Sequence, residues 1–208
     1  MTLKEAIEKR RSVRLFSPEP VPEEIIRELV RLAGLAPSIN NSQNWKFTAI
    51  SNKETLGKMR DSVAAKYDSI FSTLDEENKI VLRTVEKFST FFVNAPLLIA
   101  ISIKPYEAVI DRILPDAGLN SESINKIRNH PEIQSVGAAI QNMLLAATSL
   151  EYAGCWLTGL LIARKEIESL LGISDPYKLA ACVALGKPAE IPKNREKLPV
   201  DKILDIVK

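Results

Sequence analysis

Histidine is almost missing from this sequence. His130 is the only one in 208 residues, which excludes a histidine-built metal site within one chain and any HExxH pair, so no metal is expected. A Ser-His-Asp arrangement would have to use His130, and no GxSxG elbow accompanies it. His130 also precedes Pro131, a residue suited to the first position of a helix, so it reads as a helix-flanking residue and not as a general base. Glycine is scarce, and GxGxxG is absent. Gly154 and Gly159 have the spacing of a P-loop, but Leu160 and Leu161 follow where that motif needs Lys and Ser/Thr, so the spacing is a decoy. Cys155 and Cys182 form no CxxC, and two thiols make no disulfide framework, which points to a reducing, cytoplasmic setting. Apolar runs such as Ala95–Ile103 are too short to span a bilayer, and no cationic segment precedes an apolar run at the N-terminus, so no membrane partner is expected. Neither sign of charge dominates: 28 basic against 26 acidic residues give a net charge of +2. That balance argues against nucleic acid as a partner and makes any basic cluster a local site. A chain this poor in catalytic side chains, if it is an enzyme, borrows its chemistry from an organic cofactor.

What is present reads as one α+β domain over residues 1–208, with more helix than sheet. Thr2 and Glu5 form a capping box for a first helix, with Leu3, Ala6 and Ile7 on its apolar face, running into Arg10. A second helix opens at Pro22 and stops near Gly34. Trp45–Ile50 reads as a strand, and helices follow at about Lys53–Tyr67 and Glu77–Thr90. Pro96–Ser102 and Lys178–Leu185 are apolar runs, hence buried strands. From Pro131 to Tyr152 the pattern is helical and apolar almost all round, so that helix must be buried at the centre of the domain or of a dimer. Lys165–Leu171 is a short helix closed by Gly172. Tyr106–Asn129, with Pro115 and Gly118, reads as a surface excursion with short helical pieces. From Lys187 to the end, punctuated by Pro188, Pro192 and Pro199, the chain reads as an extended arm that docks on something.

Two basic clusters stand where regular elements run out: Arg10-Arg11-Ser12-Val13-Arg14 and Pro192-Lys193-Asn194-Arg195. Guanidinium forks, a hydroxyl and a compact ammonium are what a phosphate dianion needs. Basic residues at a helix C-terminus also complement its macrodipole, and this first cluster fits that reading too. Between the clusters lies Ala36-Pro37-Ser38-Ile39-Asn40-Asn41-Ser42-Gln43-Asn44-Trp45, a loop dense in amides. Such residues make turns by bonding to local backbone. They also suit the rim of a heterocycle with alternating donors and acceptors, such as a flavin's pyrimidine edge.

Taken in order, four segments resemble the FMN-dependent nitroreductase family. The first is the N-terminal helix ending in Arg10–Arg14. The second is Pro37-Ser38 with Asn41, Gln43 and Trp45, similar to that family's Pro-Ser-x-x-Asn-x-Gln-Pro-Trp. The third is the long helix with Gln141-Asn142, leading into Gly154-Cys155-Trp156-Leu157-Thr158-Gly159. The last is Gly186-Lys187-Pro188-Ala189-Glu190 followed by Pro192–Arg195. The resemblance covers nearly the whole chain and belongs to one of the family's shorter branches.

That resemblance implies a three-layer sandwich around a mostly antiparallel sheet, in an intertwined homodimer with FMN at the interface. It implies that Arg10, Ser12 and Arg14, with Lys193 and Arg195, hold the FMN phosphate, with Arg11 beside them. Pro37, Ser38, Ile39, Asn41 and Gln43 would reach the flavin from the neighbouring subunit, and Leu157, Thr158 and Gly159 would offer backbone N–H groups to the ring. No side chain is expected to be catalytic, because the chemistry lies at flavin N5. NADH or NADPH would deliver a hydride there and leave, and a small organic acceptor, nitroaromatic or quinone-like, would take the electrons in a ping-pong cycle. Two other readings stand beside it: a dedicated dehydrogenase or reductive dehalogenase on the same fold, and a non-catalytic flavin-binding or redox-sensing module. Three departures from the family pattern are visible. Asn44 replaces a proline and should loosen its loop, Thr158 replaces a glutamate of several members, and Lys187 replaces a common tyrosine with little expected effect.

Overall fold

Alternation along the most apolar strand sets the architecture. The computed structural model describes residues 1–108, 111, 116, 118 and 120–208, with the backbone only at 121 and 122. Strand β2 (Leu97–Ile103) is buried along its whole length. It is flanked by β1 (Trp45–Ile50) and β4 (Lys178–Gly186), and β3 (Ala153–Leu157) closes the other edge in the order β1-β2-β4-β3. Every pairing is antiparallel, with Ile99 opposite both Ala49 and Val183. Successive side chains of β2 leave the sheet on opposite faces. Leu97, Ile99, Ile101 and Ile103 meet one helical layer, while Leu98 and Ala100 meet the other.

The first layer is α2 (Glu23–Gly34) and α6 (Pro131–Ser149). In α6, Val136, Ala139, Ile140, Met143, Leu144 and Ala147 are all buried. The second layer is α3 (Lys53–Phe71) with α7 (Arg164–Leu171), and α4 (Glu76–Thr90) lies against α3. Leu56, Met59 and Val63 of α3 pack with Ile167 of α7 under Leu98, Cys182 and Ala184. The result is the expected three-layer α+β sandwich. Complete burial pushes the Cys182 thiol far above its ordinary range, so it serves as a small apolar side chain.

Most elements stand where the sequence places them. Helix α1 (Leu3–Lys9) carries the capping box: Thr2 Oγ1 accepts from the Glu5 amide at 3.3 Å, and Glu5 Oε2 accepts from the Thr2 amide at 2.7 Å. Gly172 closes α7 in the left-handed region, at φ 64°, and His130 is the N-cap residue of α6. Three expectations change. Helix α6 stops at Ser149, because Leu150 already caps it, and the glycine-spaced run after it is a strand, β3, that periodicity alone did not reveal. In α1 only Ala6 is buried, and Leu3 and Ile7 are exposed. In the excursion after β2, α5 (Ser121–Ile127) is one of the short helical pieces. Gly118 lies at φ 74°, and Pro115 lies outside the described residues. The chain from 189 onward is mostly exposed and irregular, apart from a single turn at Val200–Lys202.

Candidate functional site

The N-terminal cluster is stitched to the far end of the chain by backbone. After α1 the chain runs extended: the Val13 amide donates to the Gly154 carbonyl at 3.2 Å, and the Ser17 amide to the Lys187 carbonyl at 2.8 Å. The Ala189 amide in turn donates to the Leu15 carbonyl at 3.0 Å. Segment 12–17 is thereby bound beside β3 and the chain leaving β4, with Ser12 bridging Gly154 and Phe16 bridging Pro188. Gly154 makes this possible. A Cβ there would stand 2.8 Å from Leu144 Cδ2 and 3.2 Å from the Ala184 carbonyl oxygen, so any side chain would push β3 off α6 and β4.

This stitching opens a cleft of about 910 Å³ lined by Ile7 and Glu8 of α1, by Arg10, Arg11, Ser12 and Arg14, by Gln141 of α6, and by Pro192–Lys197 of the arm, Glu196 among them. The structure therefore brings together both sequence-predicted basic clusters, nearly a whole chain apart in sequence. Their charges are not spent in the same way. Arg11 Nη1 donates to the Glu8 carbonyl at 2.5 Å and the Arg10 carbonyl at 2.8 Å, so Arg11 closes the C-terminus of α1 as the macrodipole reading requires. Among the described residues, no carboxylate forms an ion pair with Arg10, Arg14, Lys193 or Arg195. Glu8 pairs with Lys4 instead. Arg14 Nη1 reaches the Ser12 carbonyl at 3.4 Å, and its guanidinium lies over Phe88 and Phe91. Behind the cleft, burial pushes the Cys155 thiol up, and the charges of Arg14 and Arg10 offset part of that rise.

The other sequence-predicted residues lie outside this cleft within one chain. In the loop, Ser38 Oγ accepts from the Gln43 amide at 3.1 Å, and Gln43 Nε2 donates to Asn41 Oδ1 at 3.3 Å. The Ile39 amide donates to Ser135 Oγ at 3.3 Å, fixing the loop to the first turn of α6. Asn40, Asn41 and Gln43 all have positive φ, at 48°, 52° and 43°, conformations that asparagine tolerates best. Turn chemistry thus accounts for the loop's shape and leaves Asn41 and Gln43 exposed. One expectation is overturned: Asn44 does not loosen the loop. It is buried, and its Nδ2 donates to the carbonyls of Lys104 and Pro105, each at 3.1 Å, clamping the loop to the end of β2.

Leu157 is buried in the α3/α7 layer, Thr158 is exposed, and Gly159 begins a 3₁₀ turn. Gly159 is required by close approach, since a Cβ there would collide with Ser89 Oγ of α4. Lys187 pairs with Glu19 at 2.7 Å. Sequence reasoning did not assign Gln141 or Asn194 to the site, although both sit inside quoted motifs. Nor did it mark Phe88 and Phe91, for which the sequence holds no signal: their role depends on α4 ending beside segment 12–17.

Comparison with known proteins agrees with this fold. A BluB-like flavoprotein from Clostridium difficile 630 superposes with a TM-score of 0.89 and 34% identity, covering 100% of both chains. The NAD(P)H nitroreductase YfhC (so named) of Bacillus subtilis is 22% identical over 95% of this chain and 90% of its own. The iodotyrosine deiodinase of Hydra vulgaris is 27% identical over 94% of this chain and 69% of its own. The profile of the nitroreductase family matches residues 7–187, and the chain belongs to that family.

Proposed function

We propose that this protein is an FMN-dependent oxidoreductase that draws a hydride from NADH or NADPH and passes the electrons to a small organic acceptor, nitroaromatic or quinone-like. The observation that carries the reading is the cleft, where Arg10, Arg14, Lys193 and Arg195, none of them ion-paired with a carboxylate among the described residues, meet the Ser12 hydroxyl. Such a cluster is self-repelling until an anion enters it, and planar guanidinium forks match a phosphate group in geometry as well as charge. Arg10, Ser12, Arg14, Lys193 and Arg195 would hold the FMN phosphate there, with Arg11 closing α1 beside them. When bound, FMN supplies the hydride-accepting and electron-carrying chemistry.

The chain's own part is to bind and orient. Backbone groups at Leu157, Thr158 and Gly159 would face the ring. Pro37, Ser38, Ile39, Asn41 and Gln43 would come from a second copy, which accounts for their lying outside the single-chain cleft. The homodimer belongs to this proposal, as does docking of the arm, about 187–208, on the partner within a single domain of 1–208. So does a cytoplasmic setting. Among the described residues, no helix is long and apolar enough to cross a membrane.

The test is an absorption spectrum of the purified protein followed by anaerobic addition of NADH and then NADPH. A flavin spectrum that bleaches with either nucleotide supports the reading, and a protein that takes up no added FMN refutes it. A second reading keeps fold and cofactor but gives the enzyme one dedicated substrate, such as a halogenated aromatic. The iodotyrosine deiodinase relative favours it, and bound flavin that bleaches slowly with both nucleotides would move weight to it.

A further inference from the structure

Arg14 is held differently from every other cation in the cleft. Its guanidinium carbon lies 5.3 Å from the centroid of the Phe88 ring and 5.9 Å from that of Phe91. Phe88 is in the last turn of α4, and Phe91 begins the 3₁₀ turn that follows. Phe88 is 53% exposed, so hydrophobic burial does not explain its place. A carboxylate would fix Arg14 as well, but it would cancel the charge that the cleft presents. A ring face attracts a guanidinium through its quadrupole and leaves the positive charge and the N–H fork available.

We propose that Phe88 and Phe91 are positioning residues for the anion site: they hold Arg14 in place without neutralising it, ready to meet a phosphate monoester. This rests on reading the cleft as the FMN phosphate site. It gives the end of α4, which contributes no side chain to the cleft lining, a part in cofactor affinity. It also makes Arg14 hard to replace by lysine, whose ammonium lacks the planar face and fork.

The experiment compares FMN with riboflavin, which carries the same ring and side chain without the phosphate. Flavin fluorescence titrations on cofactor-stripped protein give both affinities for the wild type and for Phe88→Leu, Phe88→Trp, Arg14→Ala and Phe88→Leu combined with Arg14→Ala. Phe88→Leu should weaken FMN roughly threefold to tenfold and leave riboflavin unchanged, and Phe88→Trp should restore the loss, since indole is the better cation partner. In the Arg14→Ala background, Phe88→Leu should cost nothing further. Equal weakening of FMN and riboflavin, a loss that persists without Arg14, or an FMN preference untouched by Phe88→Leu would each overturn the role of the rings. A wild type that binds riboflavin as tightly as FMN would instead overturn the phosphate reading itself.

Discussion

The interior of the sheet and the basic cleft follow opposite rules. Along β2 and β4, apolar side chains are covered on both faces, backbone groups are paired across the ladder, and the one charge, Lys178, stands exposed at the start of β4. At the cleft, cations outnumber the two lining carboxylates, Glu8 and Glu196, and among the described residues pair with neither, and the arm beside them exposes Ile191, Leu198, Val200, Ile203, Leu204, Ile206 and Val207. The interior is complete within one chain. The periphery holds charge and apolar surface that, on the proposed function, another molecule would cover: an anion in one case and a second subunit in the other. The contrast separates two kinds of residue: those that decide whether the chain folds, and those that decide what it binds once folded.

Substitutions can break that separation if it is wrong. The largest effect is expected at the cleft. Each charge-assisted hydrogen bond contributes about 1.5–3 kcal/mol, so Arg10→Ala with Arg14→Ala should lower FMN affinity by about two to four orders of magnitude. The same double variant should leave the unfolding temperature of the cofactor-free protein unchanged or raised. A titration showing full FMN affinity would remove both residues from the phosphate site. In the interior, Ile99→Ala should cost about 2–5 kcal/mol in denaturant unfolding while the folded fraction binds FMN normally. A shift in cofactor affinity without a shift in stability would reverse the comparison.

Deleting the arm from Leu198 onward should raise the dimer dissociation constant at least about tenfold, because burying a single Leu or Ile side chain contributes about 1.5–3 kcal/mol. Light scattering at low protein concentration measures this, and an unchanged mass would argue against docking. Gly159→Ala should cost about 1–3 kcal/mol, because its methyl group must displace Ser89. A stability equal to that of the wild type would show that α4 yields freely. The smallest effect concerns a charge that is partnered. The Arg128 guanidinium beside Asp111 holds its carboxyl below the usual carboxylate range. A carboxyl lowered by folding stabilises the protein above its unfolded pKa, about 4, and that contribution disappears as pH falls through the lowered value. Asp111→Asn should therefore flatten the acid limb of the stability curve, and an unaltered limb would deny the pair that role.

Much of this was legible in the residues, for reasons that can be named. Strands β1, β2 and β4 show as short apolar or alternating runs, and α1, α2 and α7 carry their own start and stop signals in Thr2, Pro22 and Gly172. The two basic clusters were visible because charged side chains gathered at element ends stand out in sequence, although only the structure separates Arg11, which caps α1, from its neighbours. Strand β3 was not visible: its five residues hold a glycine whose purpose is to let Leu144 and Ala184 approach, and that spacing imitates a phosphate loop. Asn44 misled because proline and asparagine differ most when a carbonyl lies within reach, and the carbonyls of Lys104 and Pro105 are placed by the far end of β2. Leu3 and Ile7 share the apolar face of α1 with Ala6, yet only Ala6 is buried, because a periodic pattern marks a face and does not say how much of it is covered. Phe88 and Phe91 carried no signal, since stacking on Arg14 is decided wholly by tertiary placement.

The pairing of segment 12–17 with the chain on either side of Lys187 has a consequence for how the protein is made. Arg10–Arg14 are made long before Lys193–Arg195, and β4, which joins their surroundings, precedes the second cluster. On the proposed function, a nascent chain that has not yet reached β4 would hold half a phosphate site and nothing to close it. Cofactor uptake would therefore wait until β4 and the segment after it have folded against residues 12–17.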